Sequence, residues 1–118
     1  MEGDGETCPQ YLLLTDKEME AWGPLAKIGP PLRPEGGPDG EALWAGSAAG
    51  HISAVASDHS PRRKALKEAG WKNIFVDGEG KPIPFGSPSV ETLVPLMWSE
   101  GVVRRGLSPT WMARVMGE

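Results

Sequence analysis

The part of this 118-residue chain best equipped for chemistry is Ser57-Asp-His-Ser-Pro61, which directly follows the short apolar run Ile52 to Ala56. Small and β-branched residues bounded by Gly50 and a polar cluster read as a buried strand of a parallel sheet. In folds built on such sheets, ligands gather at the carboxyl ends of the strands, so Asp58 is the leading candidate for a catalytic carboxylate. A structural reading competes with this: an Asp-His-Ser turn capping a following helix, with Ser60 as N-cap and Pro61 at the first helical position. The two are compatible. A Ser/His/Asp triad made of Asp58, His59 and Ser60 is rejected, because sequence neighbours point in different directions and triads are assembled in space. The other histidine, His51, stands at the opposite end of the strand from Asp58.

The elements that must hold Asp58 in place are short. Gly 16 and Pro 12 together make about twice the usual share of breakers, so substantial loops are expected. The net charge is −4, from 12 basic and 16 acidic residues, and neither sign forms a long block. Nothing in that balance points to nucleic acid or an anionic membrane. The one cysteine excludes an internal disulfide, and no Cys/His spacing suits a structural zinc site. No apolar run is long enough to span a bilayer and no signal-peptide core is visible, so a soluble, cytoplasmic setting is expected.

Along the chain, Met1 to Gly5 reads as a loose lead-in and Tyr11 to Leu14 as a second buried strand. Thr15-Asp-Lys-Glu18 has the form of a capping box. It opens a short helix through about Trp22, stopped by Gly23 and Pro24. Lys27 to Arg33 cannot be regular structure, because Pro30-Pro31 hold it extended and Gly29 keeps side-chain bulk away. Such a stiff turn suits the wall of a pocket, with a plain connector as the alternative. Asp39 can cap a helix over about Glu41 to Ala49, with Leu43, Trp44 and Ser47 sharing a face. A helix over Arg62 to Gly70 is expected to turn Arg62, Arg63, Lys64 and Lys67 to solvent. Lys72 to Phe85 is irregular. Ser87 and Pro88 open the longest helix, with Val90, Leu93, Val94, Met97 and Gly101 at helical spacing and Pro95 placed to kink it. Ser108-Pro109 begins a last helix whose Trp111, Met112, Val115 and Met116 are core residues.

Glu6-Thr-Cys-Pro-Gln-Tyr-Leu12, Gly29-Pro-Pro-Leu-Arg33, Leu43-Trp44, Ser57-Asp-His-Ser-Pro61, and Pro84-Phe-Gly86 with Val90-Glu91 and Leu96 occur in that order. In order and spacing the set resembles the C-terminal part of the cyclic amidohydrolases: dihydropyrimidinases, hydantoinases and allantoinases. The resemblance covers nearly the whole chain. It implies an α/β fold that is a partial (β/α)8 TIM barrel, namely the last two β/α units plus C-terminal helices, with 1–118 as a single segment. Tyr11 to Leu14 would belong to the seventh strand and Asp58 would end the eighth.

The function so implied is that of a metal-dependent hydrolase that opens cyclic amide rings of the hydantoin, dihydropyrimidine or allantoin type. Intact members of the family hold two divalent metal ions, commonly zinc, to polarise the ring amide and generate hydroxide. By the resemblance Asp58 is the last metal ligand, and it is the catalytic group that takes a proton from that hydroxide and returns it to the leaving nitrogen. Gly29 and Pro30 would contact substrate, although the family usually has Ser or Cys where Gly29 stands. His59 would be a supporting residue. A substrate-contacting Asn expected near Pro84 to Val90 is not found.

An HxH pair, a carboxylated Lys and two further His ligands of that family have no counterpart here. One carboxylate holds catalytic zinc poorly, since such sites need about three protein ligands. A full barrel needs roughly 250 residues. The chain is therefore expected to be a fragment, inactive alone and binding no metal stably, with apolar flanks that favour self-association. A non-catalytic oligomeric scaffold, or a gene remnant related to the family, is the alternative.

Overall fold

Two short strands running the same way organise the chain in the computed structural model, which describes residues 4–117. Strand β1 (Gly5–Thr7) pairs in parallel with β2 (Ile52–Val55), placing Glu6 beside Ala54 and Thr7 beside Val55. The Ala56 N–H extends the ladder by donating to the Thr7 carbonyl at 2.9 Å. Parallel neighbours need a long crossover. Here it consists of α1 (Pro9–Leu13), α2 (Asp16–Trp22), a 3₁₀ turn at Gly23–Ala26 and α3 (Pro38–Ala49). After β2 come α4 (Lys64–Glu68), α5 (Val90–Leu96), a π-helical continuation over Met97–Arg104, and α6 (Pro109–Gly117).

Several sequence expectations hold. The Thr15 N–H donates to the Glu18 carboxylate at 2.6 Å, and the Thr15 hydroxyl takes the Lys17 N–H, so the reciprocal cap that opens α2 is formed. The last helix begins at Pro109 and buries Trp111 and Val115. Trp44 and Ser47 are buried on α3 as expected, but Asp39 does not cap it: the helix begins at Pro38 with Gly37 as its N-cap, and Asp39 lies in its first turn.

Others are corrected. Tyr11 to Leu14 is not a strand: Pro9 sits at the start of α1, and the run coils into that helix, with Leu12 packed into the core. A four-residue apolar run has no periodicity to separate strand from helix, and the strand lies just before it in the less apolar Gly5–Thr7. The lead-in expected over Met1 to Gly5 falls outside the described residues as far as Gly3, and Gly5 already belongs to β1. Ser60 and Pro61 do not begin α4, which starts at Lys64 with Arg63 as its cap. The stretch between stays extended because the Ser60 N–H donates to the Ser87 carbonyl and the Arg62 Nε–H to that of Phe85. Lys67 does not face solvent but is only 4% exposed. The long helix opens at Ser89 and Val90 rather than Ser87. Pro95 lies inside it, and the wider π-helical turn follows immediately; a residue without an N–H interrupts the regular ladder there.

The core gathers Leu12, Trp44, Val55, Met97, Trp111 and Val115. Both indoles in it are satisfied: Trp44 Nε1 donates to the Leu12 carbonyl at 2.9 Å and Trp111 Nε1 to the Ser47 hydroxyl at 2.8 Å. Their ring centroids lie 6.0 Å apart, within the range of favourable aromatic pairs. Gly101 is where the π-helical segment passes closest to this pair. A Cβ at that position would fall 2.5 Å from a Trp111 ring atom. Gly101→Ala is therefore expected to cost about 1–3 kcal/mol through overpacking, read as a lowered urea midpoint; an unchanged midpoint would show that the indole yields without cost.

Candidate functional site

Strand β2 ends at Val55, and three residues later the backbone turns sharply. Asp58 has φ +49°, the one positive φ among the described non-glycine residues. Asp tolerates that region better than most side chains, at a cost of about 1 kcal/mol. Its side chain is exposed and enters no ion pair among the described residues. It lines an open cavity of about 340 Å³, shared with Gln10, Gly29, Ser60, Arg62 and Phe85. Sequence positions far apart thus converge: Gly29 and Asp58 border one cavity. Pro30 does not. It borders the neighbouring depression of about 790 Å³, and its carbonyl accepts the Tyr11 hydroxyl at 3.1 Å.

His59 does not line that cavity. Its Nδ1 accepts the backbone N–H groups of Ser89 at 3.0 Å and Val90 at 3.2 Å. These are orphan donors at the start of α5, where a helix has no carbonyls of its own to offer. Nδ1 is thereby an acceptor and the ring proton sits on Nε2. The Ser89 hydroxyl donates in turn to the Ser57 carbonyl, and the Ser60 N–H to Ser87 at 3.0 Å. The turn that carries Asp58 is stitched to residues 87–90 on both sides. Gly86 completes this contact with φ +118°, and a side chain there would run into the Ser60 carbonyl.

Cys8 and Tyr11 emerge from β1 at the same end of the sheet. Burial, followed by the charges of Asp58 and Glu6, pushes the Cys8 thiol up. Burial, followed by Cys8 and Asp58, does the same to the Tyr11 phenol. Both groups stay protonated at neutral pH, so Cys8 is no thiolate nucleophile. Among the described residues no three His, Cys, Asp or Glu side chains come together as a possible metal site. Asp58 is the candidate ligand, and the described residues do not surround it with further His, Cys, Asp or Glu side chains to make a metal centre among themselves. Gln10, Arg62 and Phe85 were not singled out for the site. Gln10 lies inside a motif whose value was its spacing, while Arg62 reads from sequence as one more surface cation.

With that geometry in view, the likeness to known proteins becomes specific. No family model matches the chain. Individual proteins do: a dihydroorotase of Thermus aquaticus is 38% identical over 101 residues, taking in 86% of this chain and 21% of the relative. An allantoinase of Rubrobacter xylanophilus is 38% identical over 111 residues, covering 94% of this chain and 22% of the relative. Among solved structures, an L-hydantoinase from Arthrobacter aurescens superimposes with a TM-score of 0.81 at 33% identity, over 98% of this chain and 24% of that one. The chain belongs to the cyclic amidohydrolase family. It spans between a fifth and a quarter of the length of these relatives. No helix among its described residues is long and apolar enough to cross a membrane.

Two substitutions test the geometry of the site. His59→Ala removes the acceptor for two helix-start amides and is expected to cost about 0.5–2 kcal/mol, the range of a lost N-cap. The largest rise in hydrogen exchange should fall at Ser89 and Val90, and uniform or absent change there would contradict the capping role. Gly29→Ser should be tolerated within about 0.5 kcal/mol, because a Cβ at Gly29 meets the Phe85 ring at an ordinary 3.5 Å. A large loss in thermal denaturation would show that this wall has no room.

Proposed function

We propose that this chain is the segment of a cyclic amide hydrolase that supplies Asp58 to the reacting centre, with 1–118 forming the last two β/α units of a (β/α)8 barrel. The observation that carries the reading is the placement of Asp58: an unpaired carboxylate, held in a left-handed turn beyond the carboxyl end of a parallel strand, facing a cavity that it shares with Gly29. In barrels of this kind the carboxyl ends of the strands are where the chemistry is done.

In this reading Asp58 accepts the proton of the attacking water and hands it to the ring nitrogen as the C–N bond breaks. That transfer is worth about 10²–10⁴ in rate for a well-placed group. A divalent metal ion, zinc in the usual case, would supply Lewis-acid polarisation of the ring carbonyl. This chain offers that ion one ligand, Asp58, so the remaining donors of a site with about three protein ligands belong to other parts of the full polypeptide. Gly29 borders the substrate space and leaves it wider than a Ser or Cys would. Pro30, which borders the neighbouring depression, stiffens the backbone that carries Gly29. His59 supports the arrangement by fixing the turn against α5 rather than by touching substrate.

The substrate is a small cyclic amide and the setting cytoplasmic. Both edges of the described two-stranded sheet are open, and Trp71, Phe75, Phe85 and Val103 lie exposed. Self-association of the isolated chain is part of the reading.

The test is hydrolysis of hydantoin, dihydrouracil and allantoin by the full polypeptide carrying this chain, alongside metal analysis. Asp58→Asn should lower turnover by about 10²–10⁴ and reduce the bound metal without unfolding the protein. Turnover of the variant equal to that of the parent would remove Asp58 from the chemistry.

A further inference from the structure

Lys67 and Lys27 are both buried with no acid to neutralise them among the described ion pairs, and Lys67 is the deeper of the two. The Lys67 Nζ donates to three backbone carbonyls instead: Leu25 at 2.8 Å, Lys27 at 3.1 Å and Gly86. These carbonyls belong to two segments far apart in sequence. Ile28 and Gly29, just after Lys27, form one side of the Asp58 cavity; Phe85, Gly86 and Ser87 form the facing side. The Gly86 N–H also donates to the Lys27 carbonyl at 3.1 Å, so the two walls touch where the ammonium grips them.

We propose that Lys67 is a positioning residue whose ammonium, held by the carbonyls of Leu25, Lys27 and Gly86, sets the spacing between the two backbone walls of the Asp58 cavity. The side chain does not line the cavity and touches nothing in it, so it acts only through the backbone. Three convergent carbonyls match the three donors of an ammonium and not the planar fork of a guanidinium. Burial is the main influence depressing the Lys67 pKa, with the charges of Lys27 and Arg62 adding to it. A methionine would fill the same volume without that penalty. What the methionine lacks is the means to hold three carbonyls at a fixed separation. Lys27 supports the same wall, its Nζ donating to the Ile83 carbonyl at 2.7 Å and lying 4.2 Å from the centre of the Phe85 ring.

The relevance of this spacing to catalysis rests on the function proposed above; the spacing itself does not, and the test involves neither metal nor substrate. Amide hydrogen exchange is measured on the chain and on Lys67→Met and Lys67→Ala. The Gly86 N–H should lose protection by about tenfold more than the Ala56 N–H of the sheet. In Lys67→Ala, n-propylammonium replaces the deleted atoms and should restore Gly86 protection, whereas n-propanol should not. Equal loss at both amides, no loss at Gly86, or equal rescue by the alcohol would overturn the proposal. Should both variants unfold, refolding of Lys67→Ala by the amine alone supports it, and absence of that rescue overturns it. Failure of the Asp58→Asn assay would leave this result standing, and the reverse also holds.

Discussion

The parallel pairing of β1 with β2 is the constraint on which the rest of the structure depends. Because the two strands run the same way, both chains leave the sheet at the same end. That geometry brings Cys8, Tyr11 and the Asp58 turn together although a crossover of more than forty residues separates them. An antiparallel pairing would have sent one of these exits to the far side of the core. After burial, the charge of Asp58 is among the influences that raise both the Cys8 thiol and the Tyr11 phenol, as a shared exit requires.

Around that exit, polar groups acting on backbone add to the apolar packing of Ile28, Leu32 and Ile83. The large apolar side chains of the core sit with α1, α3, α6 and the π-helical segment. The Asp58 cavity is bounded mainly by loops rich in Gly and Pro, which have few side chains to pack. Backbone N–H and C=O groups in such loops must still find partners. His59 takes two N–H groups at the start of α5, while Lys67 and Lys27 take the carbonyls of the facing walls. Beside the buried Ile28 and Ile83, a few multidentate polar side chains hold these loops together.

How much of this was legible in the sequence can be argued from particular residues. The Thr15/Glu18 cap was readable because both partners lie within one turn, and the β2 strand because Gly50 and the Ser57-Asp-His-Ser-Pro61 cluster bracket it. The convergence of Asp58 with Gly29 was readable only through the order of motifs, a likeness to a family and not a local signal. Tyr11 to Leu14 was misread because four apolar residues carry no period, and the proline that starts their helix stands two places ahead of them. Lys67 was misread because a basic run on a short helix ordinarily faces water; what buries it is a set of carbonyls on loops that no local rule places beside it. The role of His59 was invisible for the same reason, since the amides it caps lie thirty residues away.

The central claim is that Asp58 is presented for chemistry and not for the fold. Its most direct test is anomalous scattering at the zinc edge from crystals of the full polypeptide grown with zinc. The account predicts a peak about 2.0–2.2 Å from an Asp58 carboxylate oxygen, beside the cavity that Gly29 borders. An Asp58 carboxylate paired with a neighbouring lysine or arginine, and no zinc within bonding distance, would contradict it.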